Sequence, residues 1–174
     1  MPAGLSVLLV SSRALKKAQA VEAKISVGTF HRFSEMAKFV TKNQTPETPN
    51  VLNIYLLGKV VASMLKTGID TIRRDTLEKS RRIYSFFENR KGFVLPNLGS
   101  KYRSVTTIMV NVLGGSAPLI KELKKKGFTV SSGYKENKEK QIRIANFPAV
   151  SKKTIQRVIR EIREMGDSGE EYKK

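Results

Sequence analysis

The beginning of the chain alternates between an apolar run and a polar segment. Leu5–Val10 is a continuous apolar run, which is typical of a strand buried on both faces. Ser11 and Ser12 follow it, and either hydroxyl is suited to cap a helix from Arg13 to about Glu22. We therefore expect a buried strand that leads into a helix.

The next segment holds a weak pattern and then a strong one. A helix is predicted around Phe33–Thr41, and prolines 46 and 49 exclude helix from residues 43–49, which we expect to form an extended loop. From Val51 to Leu65 apolar residues occupy nearly the whole circumference of a predicted helix, which indicates burial on most sides. This apolar surface is larger than the chain can cover, so it marks an interface with a partner or with further chain.

The rest of the chain predicts a helix and then a small α+β domain. A more charged helix from about Ile69 to Asn89 is interpreted as a connector. The pattern then predicts a strand over 105–113, a helix over 116–126, a hairpin of strands 128–132 and 141–147, and a helix from 151. Ser116 and Ser151 are the expected caps and Gly127 the helix stop. The order β-α-β-β-α predicts an antiparallel sheet with both helices on one face.

Composition limits the class of protein. The 174 residues are 40% hydrophobic and include no cysteine, which excludes a disulfide-stapled scaffold and a thiolate metal site. No apolar run reaches the roughly 20 residues that cross a bilayer. The first residues lack the pattern of a secretory signal. We therefore expect a cytoplasmic protein without a membrane segment.

The formal net charge of +18 has two interpretations. Lysine and arginine make most contacts to phosphate, so the charge is compatible with binding of nucleic acid or phosphorylated ligands. It is also compatible with solvated cations scattered over helix faces. The basic residues are dispersed from Arg13 to Lys174 without an aromatic RNA-binding signature. This dispersal favours scattered cations and argues against nucleic acid as a partner.

Few side chains are candidates for chemistry. Arg143 alternates with two isoleucines on a predicted strand and so points away from the apolar face, where its guanidinium suits a carboxylate, although spacing alone favours a solvated residue. Gln44 and Thr45 offer an amide and a hydroxyl to a phosphate oxygen. His31, the only histidine, has no metal-like spacing around it, and no carboxylate pair suits acid–base catalysis. No metal site is expected.

Several stretches become recognisable when they are taken together. They are Pro2–Leu5, Asn43–Leu52 with Ile54–Leu57, Lys101–Ser104, Ser132–Tyr134 and Ile142–Pro148. In this order they resemble the phosphoserine aminotransferases, class V (fold type I) enzymes that use pyridoxal 5′-phosphate. The resemblance covers the C-terminal half of that family and implies an α/β family fragment. Its expected parts are a large-domain remnant over 1–67, a connector helix over 68–92, a small α+β domain over 93–166 and a disordered tail over 167–174.

The resemblance implies roles for two groups of residues. Gln44 and Thr45 match the residues that reach across a homodimer to the cofactor phosphate of the other subunit. Arg143 matches the arginine that holds the α-carboxylate of the substrate, which reverses the assignment from spacing alone. These roles predict a cofactor-binding loop and a substrate-binding strand.

The substrate's phosphate has no matching pair of residues. The family uses a His-Arg pair in the loop that corresponds to residues 133–140, and this chain has lysines there instead. Lys135 and Lys138 are candidates to replace the pair as point charges. The distant pair of His31 and Arg32 is the other candidate.

The catalytic lysine of the family matches no residue of this chain, because the resemblance places it just upstream of Met1. The chain is therefore expected to hold no catalytic residue and to be inactive alone, since amino transfer needs that lysine. With a complementary N-terminal half, or within a longer chain, the implied reaction is amino transfer between glutamate and 3-phosphohydroxypyruvate, in serine biosynthesis. The alternative is a non-catalytic basic module that binds nucleic acid.

Overall fold

The computed structural model describes residues 4–28, 32–96 and 99–167. The chain divides into two units, with the boundary between Lys66 and Thr67. No helix in the described ranges is long and apolar enough to cross a membrane. The predicted tail lies outside the described residues, apart from Asp167, which ends the last helix.

The first unit contains helices α1 (Ser12–Glu22), α2 (Phe33–Val40) and most of α3 (Val51–Thr67). The amide of Ala14 donates a hydrogen bond to the Ser11 hydroxyl at 3.2 Å, so the predicted cap of α1 is confirmed. The predicted strand over residues 5–10 is not formed. A strand requires a hydrogen-bonded neighbour, and the described part of this unit supplies none.

Helix α3 begins at Val51 as predicted, but its apolar side chains are not buried. Leu52, Tyr55 and Leu65 keep 64%, 58% and 78% of their surface exposed. Asn53 is the buried residue of this helix. Burial on most sides is therefore wrong for this chain, while the predicted excess of apolar surface is confirmed.

The second unit is built on a four-stranded antiparallel sheet. Its strands are β1 (Phe93–Val94), β2 (Thr107–Val112), β3 (Ser131–Ser132) and β4 (Gln141–Ala145), in the spatial order β1-β2-β4-β3. Helices α4 (Ile69–Glu88), α5 (Ala117–Lys125) and α6 (Lys152–Asp167) accompany it, with short 3-10 helices at Ser100–Tyr102 and Lys135–Asn137. The predicted hairpin is confirmed as β3 paired with β4, although β3 is shorter than expected. Strand β1 was not predicted.

One face of the sheet carries the hydrophobic core. Side chains alternate along a strand, so the buried residues of β2 and β4 lie on one side of the sheet. They form one cluster with residues from all three helices, and its members are Ile83, Phe87, Ile108, Val110, Val112, Leu119, Leu123, Phe128, Val130, Ile142, Ile144, Ile155, Val158 and Ile162. The placement of α5 and α6 on one face is confirmed. Helix α4, interpreted from sequence as a connector, also contributes Ile83 and Phe87 to this core.

Two of the three predicted helix ends in this unit are confirmed by the structure. The Ser151 hydroxyl accepts a hydrogen bond from the Thr154 amide at 3.0 Å and caps α6. Gly127 ends α5 with φ +83°, a conformation that glycine adopts without strain. Ser116 does not cap α5 with its side chain, because its own backbone is already helical and its hydroxyl donates to the Lys138 carbonyl at 3.3 Å. That predicted cap is wrong.

Candidate functional site

Arg143 lies in the middle of β4, on the sheet face opposite the core. Its neighbours Ile142 and Ile144 are buried, and it pairs with Met109 of β2 and Ser131 of β3. Alternation along the strand directs its side chain to the outer face, as the sequence predicted. Strands on both sides of β4 fix the position of its backbone.

Two contacts hold the guanidinium of Arg143. Its Nε donates a hydrogen bond to the Ser132 carbonyl at 2.7 Å. The ring of Tyr134 lies against the guanidinium, with 3.9 Å between the ring centroid and the Arg143 Cζ atom. Within the described ranges no hydrogen bond engages Nη1 or Nη2. The two terminal amino groups therefore remain as a fork, which suits the two oxygens of a carboxylate.

The loop after β3 fixes the backbone around Tyr134. The Gly133 amide donates to the Gln141 carbonyl at 2.9 Å, and the Asn137 amide donates to the Tyr134 carbonyl at 2.9 Å. A Cβ atom at Gly133 would collide with the carbonyl of Asn137, so only glycine fits there. Sequence reasoning gave Tyr134 no role. The available signal was an aromatic residue beside a glycine in the hairpin that leads to Arg143.

Lys135 and Lys138 lie on this same loop and are exposed. Lys135 has φ +48° and begins the short 3-10 helix that follows Tyr134. Neither ammonium group forms an ion pair with a described residue. The structure thus places two lysines without an ion pair to a described residue on the segment that carries Tyr134, and it shows no contact between them and Arg143.

Gln44 and Thr45 follow the end of α2, in the first unit. Asn43 adopts φ +54°, and the amides of Asn43 and Gln44 donate to the carbonyls of Val40 and Phe39 at 3.0 and 2.9 Å. This pair of bonds is the Schellman motif, which ends a helix and satisfies its last carbonyls. The chain therefore leaves α2 in a defined direction at Gln44.

The side chains of Gln44 and Thr45 are the polar groups that this loop offers to a ligand. The side chains of Gln44 and Thr45 are exposed, and the Thr45 hydroxyl donates to the Glu47 carbonyl at 2.5 Å. The Gln44 amide group offers N–H donors, whereas the single O–H of Thr45 must leave the Glu47 carbonyl before it can donate to a phosphate oxygen. The predicted extended loop over 43–49 is seen as a segment without helix or strand.

The second candidate pair for a substrate phosphate is described only in part. His31 lies outside the described residues. Arg32 precedes α2, and its Nε is buried without a hydrogen-bond partner in the described part of the chain. Lys38 and, more weakly, Arg32 lower the pKa of the Glu35 carboxyl. Arg32 therefore belongs to a basic environment at the start of α2.

Two buried polar side chains that sequence reasoning missed hold the chain just after β4. The Asn146 Nδ2 donates to the Thr76 carbonyl of α4 at 2.9 Å. The Lys79 ammonium donates to the carbonyls of Phe147 and Val150 at 3.1 and 2.6 Å. Burial lowers the pKa of Lys79, which is 3% exposed. These bonds join the end of the strand that bears Arg143 to the core helix α4.

Comparison with known families identifies the class of the chain. The family model of the class V aminotransferases matches residues 1–158. The chain therefore belongs to the class V aminotransferases. A probable phosphoserine aminotransferase from Caenorhabditis elegans is 27% identical over 114 residues, which are 66% of this chain and 29% of that protein.

Solved structures agree with this family. The phosphoserine aminotransferase of Cytophaga hutchinsonii is 40% identical with a TM-score of 0.84, over 88% of this chain and 43% of that one. An aspartate aminotransferase of subgroup IV from Thermus thermophilus shares the fold at 15% identity, with a TM-score of 0.70 over 86% and 42% of the two chains. The chain thus spans less than half the length of these relatives. The predicted fold class, a fragment of a pyridoxal-phosphate transferase with a small α+β domain, is confirmed.

Proposed function

We propose that this chain is the C-terminal part of a phosphoserine-aminotransferase-like enzyme in which Arg143 binds the α-carboxylate of the substrate. The observation that carries the proposal is the fixed guanidinium, whose Nη1 and Nη2 face away from the core with no described partner. The proposed reaction is amino transfer between glutamate and 3-phosphohydroxypyruvate in serine biosynthesis. It is supported by the name of the 40% identical relative of known structure.

Gln44 and Thr45 would hold the phosphate of pyridoxal 5′-phosphate, across the interface of a homodimer. When bound, the cofactor supplies the electron sink for chemistry at the α-carbon. In this proposal the chain itself binds and orients: the loop holds a phosphate, and Arg143 holds a carboxylate. The lysine that reacts covalently lies in the part of the enzyme outside these 174 residues, so the chain alone is proposed to be inactive.

Lys135 and Lys138 are proposed to attract the phosphate of the phosphorylated 2-oxo acid. Their support is exposure and the lack of an ion pair in the described ranges. The pair of His31 and Arg32 remains the second candidate for this role. A cytoplasmic location and assembly as a homodimer or with a complementary N-terminal half belong to the same proposal. The alternative of a nucleic-acid-binding module has no support among the aminotransferase relatives.

The carboxylate role is tested by Arg143→Ala in the enzyme that contains this chain. We expect the KM for glutamate to rise about 10- to 1,000-fold, because leaving one charge of a hydrogen-bonded pair without its partner costs about 2–4 kcal/mol. Arg157→Ala is the matched control, since its guanidinium also lies over a ring, that of Phe128, at 5.1 Å. An unchanged KM for glutamate in Arg143→Ala would contradict the proposal.

The intact mass of the protein isolated from its own cells tests the other half of the proposal. A mass near twice 19.5 kDa is expected if the chain is part of one full aminotransferase. A mass near 19.5 kDa, with no complementary chain that copurifies, would contradict it.

A further inference from the structure

A flat guanidinium is oriented when both a direction in its plane and the normal to its plane are fixed. For Arg143 the bond from Nε to the Ser132 carbonyl fixes the direction in the plane. The Arg143 Cζ lies over the Tyr134 ring, 3.9 Å from its centroid, and this close contact restricts the tilt of the guanidinium plane. Without the ring, the one hydrogen bond to the Ser132 carbonyl would leave the guanidinium free to rotate about the axis of that hydrogen bond. An arginine side chain carries about 2 kcal/mol of rotamer entropy, so such restraint favours binding.

The ring of Tyr134 is held by its loop and not by the core. Tyr134 is 71% exposed, so little of its surface contributes to folding. Its backbone is extended, with φ −110° and ψ 150°, its carbonyl accepts a hydrogen bond from the Asn137 amide, and the amide of the preceding Gly133 donates to the Gln141 carbonyl. The collision that a side chain at Gly133 would meet shows that this loop conformation requires a glycine. A rigid loop thus presents an exposed aromatic ring to one guanidinium.

We infer that Tyr134 is a positioning residue for Arg143, whose ring holds the guanidinium so that Nη1 and Nη2 both face the substrate's carboxylate. The inference rests on the proposed role of Arg143 and adds one residue to the same site. The ring also shields one side of the cation, which leaves fewer directions from which water competes with a carboxylate. The phenol hydroxyl is not needed for this function.

The stack is tested on the 174-residue chain itself, without substrate. In ¹⁵N–¹H spectra the Nε–H proton of Arg143 is expected at an upfield position because of the ring current of Tyr134. Tyr134→Phe keeps this shift, whereas Tyr134→Leu removes it. An Arg143 signal that does not move in Tyr134→Leu would overturn the inference. Circular dichroism melting curves show whether both variants remain folded.

The effect on binding is tested in the enzyme that contains this chain. Tyr134→Leu is expected to raise the KM for glutamate about 3- to 30-fold, the range of a partly desolvated cation–ring contact, with kcat within about twofold. Tyr134→Phe is expected to leave the KM within about twofold of the wild type. If Tyr134→Phe raises the KM as much as Tyr134→Leu does, the hydroxyl acts and the inference is wrong.

Arg143→Ala separates the inference from the proposed function. If Arg143→Ala raises the KM and Tyr134→Leu does not, the positioning role is overturned and the carboxylate role stands. If neither variant raises the KM, the carboxylate role fails and the positioning role fails with it.

Discussion

The two units of the chain differ in how their helices are covered. In the second unit, hydrophobic side chains of α4, α5 and α6 meet the sheet in one buried cluster. In the described part of the first unit Asn53 is the only buried residue, although α3 is the most apolar helix of the chain. An amphipathic or apolar helix is stable only when a second layer covers it. The comparison teaches that the second unit holds its own core and the first unit depends on apolar surface from elsewhere.

The largest expected difference between the units is in hydrogen exchange. Amides of β2, β4 and α6 are expected to exchange only through global unfolding, because these elements surround the core. Amides of α1 and α2 are expected to exchange at least about 1,000-fold faster, through local opening that exposes little apolar surface. Native-state exchange followed by mass spectrometry measures both in one sample. Equal protection of the amides in the two units would contradict the conclusion that only the second unit holds its own core.

Two leucines, one buried and one exposed, test the difference between the two units through the free energy of unfolding. Leu119 of α5 is fully buried and Leu65 of α3 is 78% exposed. Leu119→Ala is expected to lower the free energy of unfolding by about 2–5 kcal/mol, whereas Leu65→Ala changes it by less than about 0.5 kcal/mol. Urea titration with an unchanged slope gives both values. A cost of several kcal/mol for Leu65→Ala in the chain alone would show that α3 is covered after all.

The helix caps give a smaller effect. Ser151→Ala removes the cap of α6 and is expected to cost about 1 kcal/mol, because α6 packs on the core. Ser11→Ala removes the same kind of bond from α1, which has no buried residue, and should leave the cooperative transition where it is. The melting temperatures of both variants, compared with that of the wild type, measure these effects. A loss for Ser11→Ala as large as for Ser151→Ala would place α1 within the same cooperative unit.

The smallest effect concerns pH, at the contact between α4 and α6. Lys152 binds Glu78 at 2.6 Å, and this hydrogen bond is the main reason that the pKa of Glu78 is lowered. A carboxyl with a lowered pKa contributes stability above its unfolded pKa, near 4.3, and that contribution is lost as the pH falls through its folded pKa. Lys152→Gln should therefore lose less stability than the wild type between about pH 6 and pH 3.

The neighbouring residue supplies the control for this experiment. Lys153 is exposed and has no ion pair in the described part of the chain. Lys153→Gln carries the same change of charge, so its stability should depend on acid pH as that of the wild type does. Lys152 also pairs with Asp75 at 3.0 Å, so identical curves for the Lys152→Gln and Lys153→Gln variants would show that neither ion pair of Lys152 makes a measurable contribution to stability.

Sequence periodicity predicted the elements that are long enough to show a period. The helices and the long strands β2 and β4 were found within a few residues of their bounds. Strand β1 has two residues, Phe93 and Val94, which are too few to show alternation. The apolar run over residues 5–10 has the composition of a strand, but composition cannot supply a neighbouring strand.

The sequence predicted the sheet face on which Arg143 lies, but it did not predict which residues contact the guanidinium. Alternation alone placed Arg143 on the outer face of the sheet, while its assignment to a carboxylate needed the resemblance to a family. The ring of Tyr134 and the carbonyl of Ser132 reach Arg143 only because the hairpin folds back. Lys79 contacts residues about 70 positions away, and a lysine in a charged helix carries no sign of burial in its sequence pattern.

The sheet of the second unit has very short edge strands. Its outer strands, β1 and β3, contain two residues each, so each edge offers few free amide and carbonyl groups to an incoming chain. Long, flat edges are the usual templates for aggregation by strand addition, and proteins avoid it with short edge strands. At the concentrations needed for spectroscopy, this chain is therefore expected to self-associate through its exposed apolar helices and not through its sheet edges. Replacement of Leu52 and Leu65 by polar residues should then reduce the light scattering of the sample.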